Sequence, residues 1–96
     1  MTHISNKDIT FVITTFKSEK IIESCIDCLP PESKKIIVEN GSDIALKNNL
    51  ENKYKNLECY VTSKNLGYGK ANNFGIKNSK TRYIFILNPD AHILDN

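Results

Sequence analysis

The chain alternates between two spacings of apolar residues. Residues 9–16 (ITFVITTF) are β-branched and aromatic with polar neighbours, the pattern of a strand. The apolar positions then become 21, 22, 25, 26 and 29, which fall on one face of a helix. Ser18 is placed to cap that helix, which starts near Glu19. Pro30-Pro31 ends it, because proline has no amide donor and turns its predecessor away from helical geometry. Residues 34–40 (KKIIVEN) form a second strand stopped by Asn40-Gly41, and Ser42 is placed to cap a helix carrying Leu46, Leu50 and Tyr54 at i, i+4 and i+8. Residues 57–62 (LECYVT) read as a third, less buried strand. The glycine-bearing stretch SKNLGYG then leads into a helix with Ala71, Phe74 and Asn78 on one side, and residues 82–87 (RYIFIL) make a fourth strand.

This β-α-β-α-β-α-β order predicts an α/β domain spanning 1–96. Right-handed crossovers give a Rossmann-like parallel sheet of about four strands with helices on both faces. The apolar runs FVI and YIFIL are expected in central strands buried on both sides. In such sheets ligands bind beyond the C-terminal strand ends, where the strand order switches.

Composition narrows the function classes. The chain has 96 residues, 40% hydrophobic and 25% charged, which is a folded rather than a disordered composition. Its net charge of +2 is too small an excess to argue for nucleic acid. No apolar run reaches membrane-spanning length, and MTHISNKDIT lacks a signal-peptide pattern. A cytoplasmic protein is expected, with peripheral contact to the inner membrane left open. Cys25, Cys28 and Cys59 are an odd count, which argues against a disulfide framework. Cys25-x-x-Cys28 lies late in an amphipathic helix, so both are expected as small core-facing residues. A redox pair would sit at a helix N-terminus, and a structural zinc site needs a second pair of ligands.

Polar residues gather at the strand ends. Thr14, Thr15 and Phe16 end the first strand, Glu39-Asn40-Gly41-Ser42 the second, and Asn88-Pro89-Asp90 the fourth. Each set is also ordinary turn chemistry; their meeting at one sheet edge is what raises a functional reading. The glycines at 67, 69 and 75 follow the third strand with the wrong spacing for a dinucleotide fingerprint, and no P-loop is present. Asp90, at the tip of a strand, suits Mg²⁺ or Mn²⁺, which are held by one or two carboxylates plus substrate phosphates. Asn88 would orient that arrangement, and His92 is placed at its rim.

The segments FVITTFKSEKIIESCIDCL, KKIIVENGSD, NLGYGKANNFGI and RYIFILNPDAHI resemble, in that order, the N-terminal, nucleotide-sugar-binding half of family-2 inverting glycosyltransferases of GT-A fold. The forms NLGYGKANN and LNPD are most similar to the rhamnosyltransferase-like branch. The resemblance implies a UDP- or dTDP-sugar donor and a divalent metal, Mn or Mg. It puts Thr14 and Phe16 along the nucleotide site and Glu39, where the family more usually has Asp, at the base. Asn65, Gly67, Gly69 and Asn73 border the donor, and the metal motif falls on Asn88-Pro89-Asp90, with Asp90 as metal ligand. The family's general base lies in an acceptor half beyond the metal motif, and no acid here, Asp95 included, inherits that role by position. The chain is therefore expected to bind a donor and to be incomplete as a catalyst. The alternative is a non-catalytic module that associates with itself or with a partner supplying the missing half. A receiver-type domain is disfavoured because the first strand ends without acids, and a flavodoxin-like one would show as a yellow protein.

Overall fold

The computed structural model describes residues 4–17 and 19–89. The order is a short 3-10 turn at Asn6–Asp8, then β1 (Ile9–Thr15), α1 (Glu19–Asp27), β2 (Lys34–Glu39), α2 (Ile44–Lys53), β3 (Leu57–Val61), α3 (Tyr68–Lys77) and β4 (Tyr83–Leu87). All strand pairs are parallel, in the order β3-β2-β1-β4. The α/β class, the parallel sheet and the two helical layers are as expected from the spacing of apolar residues.

Side chains alternate across the sheet, and each face recruits its own helices. Phe11, Ile13, Ile37 and Cys59 pack with Ile22, Cys25 and Ile26 of α1 and Leu46 and Leu50 of α2. Val12, Ile36 and Val38 meet Ala71 of α3 on the opposite face. Burying an isoleucine or leucine fully, as at Ile13, Ile22, Ile37 and Leu50, contributes about 1.5–3 kcal/mol each. α1 and α2 step the chain outward from β1 to β2 to β3. α3 then carries it back across to β4, so the topological switch lies between β1 and β4.

The two sheet edges differ. On β3 the outward backbone groups of Cys59 are taken by α2: Lys47 Nζ donates to the Cys59 carbonyl (2.7 Å) and the Cys59 N–H donates to Glu51 Oε2 (2.9 Å). Lys47 and Glu51 also pair with each other at 2.8 Å. On β4 the expectation of a central strand is overturned. Among the described residues the run YIFIL is an edge strand, with Phe85 50% and Ile86 44% exposed on opposite faces. Phe11 stacks on Phe85 at 5.7 Å between ring centres. The apolar run was misleading because the direction of the last crossover, not hydrophobicity, decides which strand lies outermost.

Smaller differences concern helix ends and faces. Asp43, not Ser42, caps α2, its carboxylate accepting from the Leu46 N–H (3.0 Å). Ser42 adopts a left-handed φ of 63° and donates to the Thr62 carbonyl (2.9 Å). The cap expected at Ser18 lies outside the described residues. α3 turns Ala71, Asn72 and Gly75 inward, leaving Phe74 to meet Tyr60 edge-to-face at the surface. Cys25 and Cys59 are buried as expected, but Cys28 lies just past α1 and is exposed. Among the described residues no helix is long and apolar enough to cross a membrane.

Candidate functional site

An open cleft of about 510 Å³ lies beyond the C-terminal ends of β1 and β4. Thr14, Phe16, Asn65, Gly67 and Asn88, all singled out by sequence, line it together with Ile21, Asn40, Tyr68 and Pro89. It therefore occupies the switch point where ligands of open α/β sheets bind.

Its floor is built from the strand ends. Thr14 Oγ1 donates to Oδ1 of Asn72 (2.6 Å), a buried bond that ties β1 to α3. Thr15 Oγ1 donates to Glu39 Oε1 (3.1 Å), and Glu39 Oε2 accepts the N–H groups of Gly41 (2.7 Å) and Asp43 (2.9 Å). Glu39 is 1% exposed. It is not part of the cleft lining, and its carboxylate holds the β2–α2 turn. Gly41 permits this close approach, since a Cβ there would lie 3.3 Å from Glu39 Oε2 and 3.5 Å from the Phe16 ring. Phe16 itself is 44% exposed at the rim.

The wall between β3 and α3 hangs on Asn40. This residue is 2% exposed, and its N–H donates to the Thr15 carbonyl (2.7 Å). Its Oδ1 accepts from Thr62 Oγ1 (2.9 Å) and from the Leu66 N–H (2.8 Å), while its Nδ2 donates to Asn65 Oδ1 (2.7 Å). Asn65 Oδ1 also accepts the Gly67 N–H (2.9 Å). Across the mouth, the Tyr68 hydroxyl donates to Asn88 Oδ1 (2.8 Å), joining the start of α3 to the end of β4.

Besides Glu39, two of the residues singled out by sequence stand apart from the lining. Gly69 lies in the first turn of α3 outside the cleft lining, and Asn73 lines a separate surface hollow with Leu66, Lys70, Phe74 and Lys77. Asp90, the metal candidate, and His92 lie outside the described residues. Among the described residues no three His, Cys, Asp or Glu side chains gather to hold a metal. Among the described residues the donors on the cleft wall are oxygen and amide groups, with no thiolate or imidazole. That suits a hard cation completed by a ligand's own oxygens better than a protein-enclosed zinc.

Sequence reasoning placed Asn40 only in the turn set at the end of β2, without a role of its own, and missed Asn72 and Tyr68 as site components. Asn72 carried a usable signal: asparagine is a poor residue inside a helix, and one found there often has a side-chain partner. Asn40 looked like the first residue of a turn, and its three side-chain bonds reach residues 22 to 26 positions away.

Residues 10–96 match the family model described as Glycosyl transferase family 2. Among solved structures, the chain is similar to S. aureus TarS 1–349, with a TM-score of 0.74 and 21% identity over 88% of this chain and 28% of that one. It is also similar to a second structure of S. aureus TarS, with a TM-score of 0.70 and 19% identity over 86% of this chain and 16% of that one. The chain thus spans less than a third of the length of either structure. No curated protein matches it by sequence.

Proposed function

The chain belongs to glycosyl transferase family 2, and from that membership we propose that its cleft binds a nucleotide-diphosphate sugar, UDP- or dTDP-linked, with a divalent metal. The observation that carries this reading is the meeting of Thr14, Phe16, Asn65, Gly67 and Asn88 around one cleft at the β1/β4 switch point. Phe16, 44% exposed at the rim, is the ring placed to meet a base. Glu39 shapes the base end by clamping the turn from Asn40 to Asp43. Gly69 and Asn73 belong to the helix bordering the donor and act through its placement. Asp90, two residues beyond Asn88 in sequence, supplies the carboxylate for Mn²⁺ or Mg²⁺, and the diphosphate supplies further oxygens. The cation, when bound, neutralises charge on the leaving diphosphate.

These residues hold and orient a donor. Transfer to an acceptor calls in addition on a general base that deprotonates the acceptor hydroxyl, and on an acceptor held in line with the departing diphosphate. In this reading both come from an acceptor-binding half. The reading places the protein in the cytoplasm, with contact to a membrane-bound acceptor at the inner membrane as its peripheral form.

Titration of ¹⁵N-labelled chain with UDP and dTDP in the presence of Mg²⁺ tests the proposal. Amide shifts are expected at Thr14, Asn65, Gly67 and Asn88. Their absence at millimolar nucleotide would remove the donor-site reading.

A second reading rests on β4. Tyr83–Leu87 holds no charged residue, and its exposed Phe85 and Ile86 suit association with a second copy or with a partner supplying the acceptor half. Light scattering distinguishes the two: a strict, thermally stable monomer counts against the assembly module.

A further inference from the structure

Two side-chain amides beside the cleft have no freedom to flip. A backbone N–H only donates, so the Asn40 atom facing Leu66 N is its carbonyl oxygen, and the Asn65 atom facing Gly67 N is likewise an oxygen. Asn40 Nδ2 then donates to that Asn65 oxygen at 2.7 Å. With its oxygen taken twice, Asn65 has its N–H₂ group left over. Among the described residues that Nδ2 has no hydrogen-bond partner, and Asn65 is exposed on the cleft lining. Asn40 is in turn anchored through its own N–H to β1, at the Thr15 carbonyl. A chain of directed bonds therefore runs from the rigid centre of the sheet to one donor group on the cleft wall.

We propose that Asn40 is a positioning residue of the donor site, which acts through Asn65 to present an amide N–H₂ as hydrogen-bond donor to an oxygen of the bound nucleotide diphosphate. The inference rests on the donor-site reading and extends it to a buried residue remote in sequence from the wall it orients. Two requirements follow. The relay needs a donor at position 40: an aspartate keeps the bonds from Leu66 and Thr62 but sets an acceptor against Asn65 Oδ1, turning or displacing the Asn65 amide. It also needs Asn65, so removing that side chain should make position 40 irrelevant to binding.

The experiment is a double-mutant cycle with Asn40→Asp and Asn65→Ala, read as UDP and dTDP affinity in Mg²⁺ by the ¹⁵N titration. Each single variant is expected to weaken binding about tenfold, and the double variant no more than Asn65→Ala alone. Additive losses would assign Asn40 a purely structural role and overturn the proposal, as would an Asn65→Ala chain that binds like wild type. If Asn40→Asp does not fold, the wild-type chain still decides. The Asn65 side-chain N–H₂ signals must move on titration while those of Asn40 stay nearly fixed, and unmoved Asn65 signals overturn the proposal. A wild-type chain that binds neither nucleotide removes the donor-site reading itself, and this proposal with it; binding with an additive cycle removes the proposal alone.

Discussion

At Gly67 the backbone takes φ +82° and ψ 160°, a region essentially closed to residues with a Cβ, although a Cβ there would meet nothing within 4 Å. Gly67→Ala should therefore lose roughly 1–3 kcal/mol from backbone strain alone, read as a lowered urea midpoint with unchanged slope. A matching loss of nucleotide affinity is expected, because the Gly67 N–H is one of the bonds fixing Asn65. The cysteines give a second test at this scale. Cys25 and Cys59 are buried and Cys28 is exposed, so a thiol reagent should modify one site quickly in the native chain and three after unfolding. Burial pushes the Cys59 thiol up to about 12. The fold thus resists its ionisation and loses stability as pH climbs above the ordinary thiol value of 9.0. The residues legible from sequence were those whose side chains end strands, such as Thr14 and Asn88. Asn72 was legible only as an asparagine poorly suited to a helix interior, and the roles of Asn40 and Asn72 were not, because a buried asparagine has meaning only through partners that folding brings from elsewhere in the chain.

Between elements, α3 and the sheet approach so closely that a Cβ at Gly75 would fall 2.5 Å from Val12 Cγ1 and 3.4 Å from Val38 Cγ2. Gly75→Ala improves helix propensity by up to about 1 kcal/mol, but overpacking a filled interface costs typically about 1–3 kcal/mol. A net loss in thermal midpoint is expected, along with weaker nucleotide binding, since α3 carries Asn72 and Tyr68. The clamp of α2 on β3 gives a pH-dependent prediction. Hydrogen bonds from Lys47 and the Cys59 N–H hold the Glu51 carboxyl below its ordinary value of 4.5. A depressed folded value stabilises above that pH and is lost as pH falls through it. Glu51→Gln should accordingly cost under about 1 kcal/mol at neutral pH, the pair being partly exposed. The difference should shrink as pH falls below the ordinary carboxyl value of 4.5, as equilibrium unfolding across that range would reveal. Strand and helix identities were readable from period-2 and period-3.6 spacing. Helix starts were less so: Ser42 and Asp43 are both good caps, and the left-handed turn at Ser42 leaves the capping position to Asp43.

For the molecule as a whole, the parallel sheet and its two helical layers were legible in the alternation of elements. Strand order was only partly so. The run YIFIL carries the apolar content of a central strand, and nothing local to it announces that α3 returns the chain to the open side of β1. That placement leaves Phe85 and Ile86 in solvent on opposite faces. The native chain should therefore enhance the fluorescence of an apolar dye, and Phe85→Ser with Ile86→Ser should reduce that signal by at least half without changing the fold seen by circular dichroism.

The unequal edges of the sheet have a consequence in the language of polymer chemistry. Addition along a sheet behaves as a step-growth reaction, whose outcome depends on how many reactive ends each unit carries. Lys47 and Glu51 occupy the outward backbone groups of Cys59 at the middle of β3, and so cover part of that edge. A unit with two reactive ends grows into a filament, whereas a unit with one is a chain terminator whose reaction stops at a pair. Under the association reading proposed for β4, opening the lock at β3, through Lys47 or Glu51, should turn pairs into longer assemblies, read by light scattering.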